Sequence, residues 1–210
     1  MEKLFENNEI IVIVKPAGIP SEDNGRDNCI KRLRESYGLG EVYPVHRLDT
    51  VTSGVMVYAK TKYAASFLSK QITDNTFSKE YHAVVHGIME EEKGEFTDLL
   101  FKDSRKNKSF VVKRERKGVK KASLSYETVK TEKELSLVKI RLHTGRTHQI
   151  RVQFSSRKHP VYGDGKYGAG DNIPFIALFS SSLTFSDPET KKQMTFSAPL
   201  PKWDFFPYKL

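Results

Sequence analysis

The sequence is poor in the residues that build disulfides and metal sites. Cys29 is the single cysteine among 210 residues, so neither an internal disulfide nor a thiolate metal cluster can form. A reducing compartment fits this usage. Of the six histidines, His82 and His86 would share one face of a strand, but no carboxylate stands with them in a recognised ligand pattern. We therefore expect no bound metal.

Long apolar runs are missing as well. Near the N-terminus the only one is Ile10 to Val14, which is too short for a signal peptide or a membrane span and ends at Lys15-Pro16. No longer run follows it. We expect a cytoplasmic protein with no membrane partner.

The chain also lacks the short motifs that hold nucleotides or activate a serine. Neither G-x-x-x-x-G-K-[ST] nor G-x-G-x-x-G occurs. The "TSG" that follows Asp49 is not a nucleophile elbow, and no Ser-His-Asp arrangement is indicated. We expect no nucleotide cofactor.

Negative charge is in short supply, with 26 acidic side chains against 35 lysines and arginines and a net charge of +9. A basic balance favours a polyanionic partner such as nucleic acid. Residues 105–121, the basic segment, hold nine of these cations against one acid, and we predict a hairpin that contacts phosphates. The alternative is a solvated hairpin whose lysines protect an edge strand. The candidate contacts are Lys113, Arg114, Arg116 and Lys117.

The pattern of apolar residues predicts more strands than helices. Strands are predicted near 10–14, 54–59, 80–86, 176–185 and 193–197, with an antiparallel meander over 94–142. Helices are predicted over 27–37, 62–74 and 146–157. This order favours an α+β fold with a mixed, largely antiparallel central sheet and flanking helices and loops. The length suits one domain over residues 1–210.

Two polar motifs border predicted elements. "HRLDTVTSG" places Arg47 and Asp49 beside a buried strand, where the carboxylate could be a catalytic group or one half of an exposed ion pair. "GRTHQIRVQ" places Arg146, His148 and Arg151 at a helix start, where cations suit phosphate or carboxylate binding. The alternative for the second motif is an ordinary basic amphipathic helix. Tyr81 in "KEYHAVVHG" would by default be a core tyrosine.

In combination these segments resemble the RluA family of pseudouridine synthases over nearly the whole chain. The matching stretches are "IVIVKPAGIP", "VHRLDTVTSGVMVYAKT", "KEYHAVVHG", "LHTGRTHQIRVQ", "HPVYGDGKYG" and "MTFSAPLP", and they run in the family's order. The pseudouridine synthase fold and isomerisation of uridine in ribosomal or transfer RNA are what this resemblance implies.

The resemblance also implies roles for single residues. Asp49 corresponds to the family's catalytic aspartate, and Arg47 to an arginine that contacts RNA and helps to fill the space of the flipped nucleotide. Tyr81 corresponds to the tyrosine that stacks on the target base and is implicated in proton handling. Arg151 corresponds to the arginine that pairs with the catalytic aspartate. The family uses no cofactor and no metal, and we expect the chain to be a monomer.

The reaction explains why a carboxylate should stand beside a cation. Pseudouridine forms when uracil leaves the ribose through N1, turns and rejoins it through C5, so neither redox chemistry nor an energy source is needed. The carboxylate acts either as a nucleophile or as a base, and the sequence leaves this open. Burial would raise its pKa, and an arginine such as Arg151 opposes that. The target base must first be extruded from its stack.

Two departures from the family pattern stand out. Many members carry an N-terminal S4-like RNA-binding domain, whereas here the first strand is expected by about Glu9, so RNA choice is expected to rest on the catalytic domain and its loops. Phe179 and Ser180 stand where the family often has His-Ala. Two alternatives remain: a catalytically silent RNA-binding or RNA-folding protein on the same scaffold, and a different enzyme that uses Asp49 as an acid or base, such as a glycosidase, which would usually need a second carboxylate.

Overall fold

The computed structural model describes residues 1–171 and 173–206. Its residues divide into two compact units. The first unit comprises Met1–Lys79 and Phe179–Leu200, and the second comprises Glu80–Leu178 together with the described residues after Leu200. Each unit has its own hydrogen-bonded strands, and each is described separately.

The strands of the first unit are β1 (Glu2–Glu6), β2 (Ile10–Lys15), β3 (Tyr43–Pro44), β4 (Ser53–Ala59), β10 (Leu178–Ser186) and β11 (Gln193–Ser197). They pair in the order β1-β2-β4-β10, with β3 on β4 and β11 on β10. The β4–β10 pair is parallel, and the other pairs are antiparallel. The mixed, largely antiparallel sheet that the sequence predicts is therefore confirmed.

Two helices complete the first unit, and both begin at side-chain caps. The helix α1 (Cys29–Tyr37) starts after Asn28, whose side chain accepts from Lys31 N at 2.9 Å. The helix α2 (Lys62–Thr73) starts after Thr61, whose hydroxyl accepts from Ala64 N at 3.0 Å. Such caps satisfy amide groups that have no partner inside the helix. The buried face of α2 joins the core formed by β2, β4 and β10.

The second unit is built on an antiparallel sheet, whose strand order departs from the meander predicted over 94–142. Its strands are β5 (Ser78–His86), β6 (Lys93–Asp103), β7 (Lys108–Val112), β8 (Val119–Glu132) and β9 (Leu135–Leu142). They lie in the order β5-β9-β8-β6-β7, and each adjacent pair is antiparallel. The helix α3 (Gln149–Ser155) packs on β6 and β8, where the ring of Phe154 meets Phe96 and Tyr126 edge-on.

Three local predictions need correction. The edge strand β1 is absent from the predicted elements, because its sequence EKLFE has neither an apolar run nor a turn before it. The helix α3 begins at Gln149 and not at Arg146, because His148 adopts a left-handed conformation with φ of 54° that cannot lie inside a helix. The basic segment is not one hairpin, since β7 and β8 both pair with β6 and not with each other.

Candidate active site

The HRLD motif forms the approach to β4, and its side chains alternate between the interior and the surface. His46 and Leu48 are buried, Arg47 is exposed and Asp49 is half-buried. Leu48 is fixed by the hydroxyl of Ser21, which accepts from Leu48 N at 3.1 Å and donates to Leu48 O at 2.7 Å. This alternation places the carboxylate of Asp49 at the surface of the first unit on a backbone anchored one residue earlier.

The turn at Asp49 is closed by backbone hydrogen bonds. Thr52 N donates to Asp49 O at 2.9 Å, and Gly18 N donates to Thr50 O at 2.7 Å. Beneath the turn, Gly54 has a φ of +125°, and a Cβ there would lie 2.3 Å from the backbone oxygen of Ser180 on β10. Glycine is therefore required at the position that ends "HRLDTVTSG". The Ser180 hydroxyl donates to Val55 O at 3.0 Å, so the unusual serine serves strand pairing here.

His46 supports this turn and stays neutral. Its Nε2 accepts the backbone N–H of Val57 at 3.2 Å, and its ring packs on Phe77 with centroids 5.6 Å apart. Burial, aided by the nearby charge of Lys79, lowers the pKa of His46 to about 3. An imidazole that accepts a backbone hydrogen bond in the core has a structural role in this motif.

Lys15 is a buried cation that the sequence reasoning missed. Its ammonium donates to three backbone oxygens, at 2.9 Å from Pro16, 2.7 Å from Ile19 and 3.3 Å from Thr50. Burial lowers the pKa of Lys15 to about 8, although the nearby carboxylate of Asp49 opposes the shift. A lysine at the end of a buried run, just before Pro-x-Gly, could have signalled such a carbonyl cage.

Arg47 and Tyr81 occupy contrasting environments. The Arg47 guanidinium lies 3.2 Å from the carboxylate of Glu22, and 59% of its side chain is exposed. Such a surface pair contributes little to stability, so Arg47 can exchange Glu22 for another anion at small cost. Tyr81 lies on β5 opposite Ile140 of β9 and is 5% exposed.

Arg151 lies inside the second unit, held by a partner that the sequence analysis did not single out. Its Nε and Nη2 donate to the two carboxylate oxygens of Asp164 at 2.6 and 2.8 Å. The side chains are 6% and 1% exposed, so this is a buried bidentate pair. Asp164 comes from "HPVYGDGKYG", and an acid in a glycine-rich loop could have been read as an arginine partner. The predicted pairing of Arg151 with Asp49 stays a prediction.

The start of α3 is built by hydrogen bonds from the residues around it. The side-chain oxygen of Gln149 accepts from Thr144 Oγ1 at 2.7 Å and from Arg146 N at 3.0 Å. Arg146 Nε donates to Lys121 O at 3.0 Å, which leaves the exposed outer edge of its guanidinium to solvent. His148 is the helix cap, and its left-handed backbone costs about 1 kcal/mol for a residue other than glycine.

The basic segment covers one edge of the second unit. Lys113, Arg114 and Lys117 are exposed, in the connection between β7 and β8. Arg116 lies with its guanidinium carbon 4.7 Å from the ring centroid of Phe101. That stacking occupies one face of the guanidinium and leaves its N–H edge available to a phosphate. Whether any of these residues contacts RNA stays a prediction.

Comparison with known proteins settles the family. Residues 9–156 match the family model described as RNA pseudouridylate synthase. The chain belongs to this family. RNA pseudouridine synthase YhcT of Bacillus subtilis is 32% identical, in an alignment that covers 96% of this chain and 69% of the relative. The dual-specificity RNA pseudouridine synthase RluA of Haemophilus ducreyi is 31% identical over 94% of this chain and 92% of its own length.

A solved structure shares the fold. Human RNA pseudouridylate synthase domain containing 1 has a TM-score of 0.78 and 21% identity, and the match covers 94% of this chain and 82% of that one. At this identity the likeness shows the fold alone, and it confirms the α+β class expected from the sequence. This protein is thus an RNA pseudouridine synthase of the RluA type, as its motifs indicated.

Two further features of this RNA pseudouridine synthase bear on its site. Within residues 1–171 and 173–206, no three side chains of the ligand-forming kinds come together to hold a metal ion. No helix in the same described part of the chain is long and apolar enough to cross a membrane. The sequence analysis did not assign three residues that the structure places around these groups, namely Lys15, Asp164 and Tyr167. The ring of Tyr167 lies against Arg151.

Proposed function

We propose that this enzyme converts specific uridines of structured ribosomal or transfer RNA to pseudouridine, with Asp49 as the catalytic carboxylate. The observation that supports this most directly is the turn at Asp49. Its backbone is fixed by three contacts, from Thr52, Gly18 and Lys15, while Asp49 itself is half-buried. A preorganised but accessible carboxylate is what a reaction at ribose C1′ requires.

The proposed reaction breaks the bond from N1 of uracil to C1′ and forms the bond from C5 to C1′. The proton on C5 is released, and N1 gains one, so the product is an isomer of the substrate. The target uridine leaves its stack before it reacts, and Tyr81 stacks on the extruded base. Arg151 pairs with Asp49 and favours its ionised form. Asp49 is either the nucleophile at C1′ or the base that removes the C5 proton.

The remaining roles belong to RNA binding. In this proposal Arg47, Arg146 and His148 contact the RNA near the target, and the basic segment contacts phosphates farther away. Relatives named as acting on the large ribosomal subunit are consistent with a ribosomal substrate, and a relative named dual-specificity is consistent with a broader one. We propose that the enzyme acts in the cytoplasm as a monomer and a single catalytic domain, without cofactor or metal.

The direct test measures tritium release from RNA labelled at C5 of uridine. Wild-type enzyme is expected to release tritium, and Asp49→Asn is expected to lower the rate by about 10³-fold or more while folding and RNA binding are retained. Glu22→Gln is the control, because it removes a nearby carboxylate that only pairs with Arg47. Appreciable turnover by Asp49→Asn would contradict the assignment. Mapping pseudouridine in cells with and without the gene identifies the RNA and the position.

A catalytically silent RNA-binding protein is the second candidate, and the same experiment separates the two. RNA binding without tritium release by wild-type enzyme, on total RNA from cells that lack the gene, would favour it. The complete set of Asp49, Tyr81 and Arg151 argues for the enzyme.

A further inference from the structure

Tyr167 lies where three parts of the second unit meet: the strand β7, the start of α3 and the glycine-rich turn that carries Asp164. It is 6% exposed and packs with Leu100, Ala122 and Val152. The simplest explanation for such a residue is ordinary core packing, which the ring alone would satisfy. Packing does not require the Tyr167 hydroxyl, which forms hydrogen bonds to two other parts of the unit.

The Tyr167 hydroxyl joins the basic segment to the helix start. It accepts from Ser109 N at 2.8 Å, lies 3.3 Å from Ser109 O and lies 2.9 Å from Nδ1 of His148. A phenol has one proton and two lone pairs, so it can serve the backbone of β7 and the imidazole at once. A second link runs beside it, because the Ser109 hydroxyl donates to Thr147 O at 2.7 Å.

The hydrogen bond to His148 acts on a strained residue. His148 has a φ of 54°, and its side chain makes no capping hydrogen bond to the helix amides. Its Nδ1 points to Tyr167 instead, so the hydroxyl fixes the ring and, through it, the left-handed backbone from which α3 begins. Arg151 follows three residues later, in the first turn of that helix.

Tyr167 also contacts Arg151 directly. The guanidinium carbon of Arg151 is 5.1 Å from the Tyr167 ring centroid, while Asp164 holds its Nε edge. The two residues that contact Arg151 belong to one turn, in which Tyr167 N donates to Asp164 O at 3.0 Å. Within that turn Gly163 has a φ of 82°, and a Cβ there would meet Phe175 O at 2.0 Å. The turn is therefore a fixed support and not an adaptable loop.

We propose that Tyr167 is a positioning residue for the isomerisation. Its hydroxyl holds His148 in the left-handed conformation and thereby sets the direction in which α3 presents Arg151, and it ties that direction to the strand β7 of the basic segment. The inference rests on the proposed function, in which Arg151 assists Asp49. It adds that the aromatic hydroxyl, and not only the ring, is needed for the chemical step.

The first test is Tyr167→Phe, which removes the hydroxyl and keeps the ring. Single-turnover tritium release at saturating RNA is expected to slow by about 10-fold, because small misplacements of a catalytic group have effects of this size. The RNA dissociation constant should stay within about 2-fold, since the substitution removes no group that touches RNA in the proposal. The control is Tyr162→Phe, whose ring stacks on Phe205 and His86 and which should leave the rate unchanged. An unchanged rate for Tyr167→Phe, or a weakened affinity alone, would overturn the inference.

The second test asks whether the hydroxyl acts through the backbone of His148. Glycine adopts a left-handed conformation without strain, so in a His148→Gly background the loss caused by Tyr167→Phe should shrink to less than about 3-fold. An equal loss in both backgrounds would mean that Tyr167 acts by another route. If Tyr167→Phe does not fold, His148→Gly is compared with His148→Leu, and the glycine variant should react at least about 3-fold faster. Equal rates would again overturn the inference.

These outcomes separate the inference from the proposed function. If wild-type enzyme released no tritium, or if Asp49→Asn kept its activity, the proposed function would fail. If wild-type enzyme turned over and Tyr167→Phe matched it, only the role given to Tyr167 would fail.

Discussion

The turn that carries Asp49 and the helix start that carries Arg151 are fixed by different means. Asp49 stands on a turn held by backbone hydrogen bonds and by Lys15, whose ammonium is surrounded by carbonyl oxygens. Arg151 is held by side chains, through the carboxylate of Asp164 and the ring of Tyr167. A backbone scaffold fixes the main chain that carries Asp49, whereas a side-chain clamp keeps a long, flexible cation in one direction.

Because they are fixed differently, the Asp49 turn and the start of α3 should respond differently to mutation. Backbone hydrogen bonds survive most substitutions. The stability of the Asp49 turn should therefore depend on the few positions where a side chain bonds to the backbone. The contacts described for Arg151 come from the side chains of Asp164 and Tyr167, so substitution of either should have a large effect. Three variants test this contrast and a fourth tests the basic segment, from the largest expected effect on stability to the smallest.

The largest effect is expected for Asp164→Asn, which breaks the side-chain clamp. The substitution removes the anionic acceptor from a buried guanidinium and should lower the free energy of unfolding by about 3 kcal/mol. Chemical denaturation measures this, and Asp98→Asn is the matched control. Asp98 forms a similar bidentate pair with Arg157, which is 32% exposed, and its loss should cost less than half as much. Equal losses of unfolding free energy in the two variants would mean that burial does not make the Asp164 pair more important for stability than the more exposed pair.

The next effect concerns pH and the support of the Asp49 turn. His46 is neutral in the folded state with a pKa of about 3, whereas in the unfolded chain it takes a proton below about pH 6.5. Its contribution is therefore fully present above pH 6.5 and is lost as the pH falls toward 3. At pH 5 the expected loss of unfolding free energy is about 2 kcal/mol. Denaturant titrations of wild type and His46→Gln at pH 7 and pH 5 measure it, and parallel pH dependence in both would contradict it.

A smaller effect is expected for Lys15→Met, which empties the carbonyl cage. The oxygens of Pro16, Ile19 and Thr50 lose their donor, while the cost of burying an ammonium disappears. The net loss of unfolding free energy at pH 7 should be about 1 kcal/mol. Lys60→Met is the control. Like Lys15, Lys60 donates from its ammonium to a backbone oxygen, that of Asn7, but its side chain is partly exposed. A more stable Lys15→Met protein would show that the lysine is kept for the geometry of the turn alone.

The smallest effect on stability is expected for the basic segment, where the readout is RNA binding. Gln replacements of Lys113, Arg114, Arg116 and Lys117 should weaken affinity and flatten its dependence on salt. Each phosphate that is no longer neutralised should lower the slope of log affinity against log salt by about 0.7 to 0.9, while the rate at saturating RNA should change little. A control removes four exposed lysines elsewhere: Lys31, Lys62, Lys70 and Lys133. The same change of slope in both variants would mean that the segment has no special contact with RNA.

Much of this architecture follows from local sequence. The capped helices α1 and α2 and the buried strand β2 are predictable within a few residues, because capping side chains and apolar periodicity act over short distances. The edge strand β1 and the crossing of the chain between β7 and β8 are not, because both depend on what β2 and β6 present to them. Long-range pairing is set by tertiary contacts and leaves little trace in a single segment.

The candidate site divides in the same way. Asp49 and Arg151 stand in contiguous motifs, and their residue types indicate charge chemistry directly. Asp164 and Tyr167 lie 13 and 16 residues after Arg151, in a glycine-rich loop whose sequence indicates a turn but not the residues that the turn contacts. Their meaning depends on the glycines that fold this turn back onto α3. A left-handed histidine such as His148 is likewise invisible in sequence, since nothing but its environment enforces the conformation.

The hydroxyl of Tyr167 has one more consequence, for how the molecule behaves among its copies. The strand β7 is the last in its sheet, and an unpaired outer edge invites another chain to add a strand. At Ser109 both backbone groups already face a phenol, so the run of free donors and acceptors along this edge is interrupted at its second residue. With Lys108 beside it, we expect this edge to be a poor template for the addition of a strand from another copy of the chain.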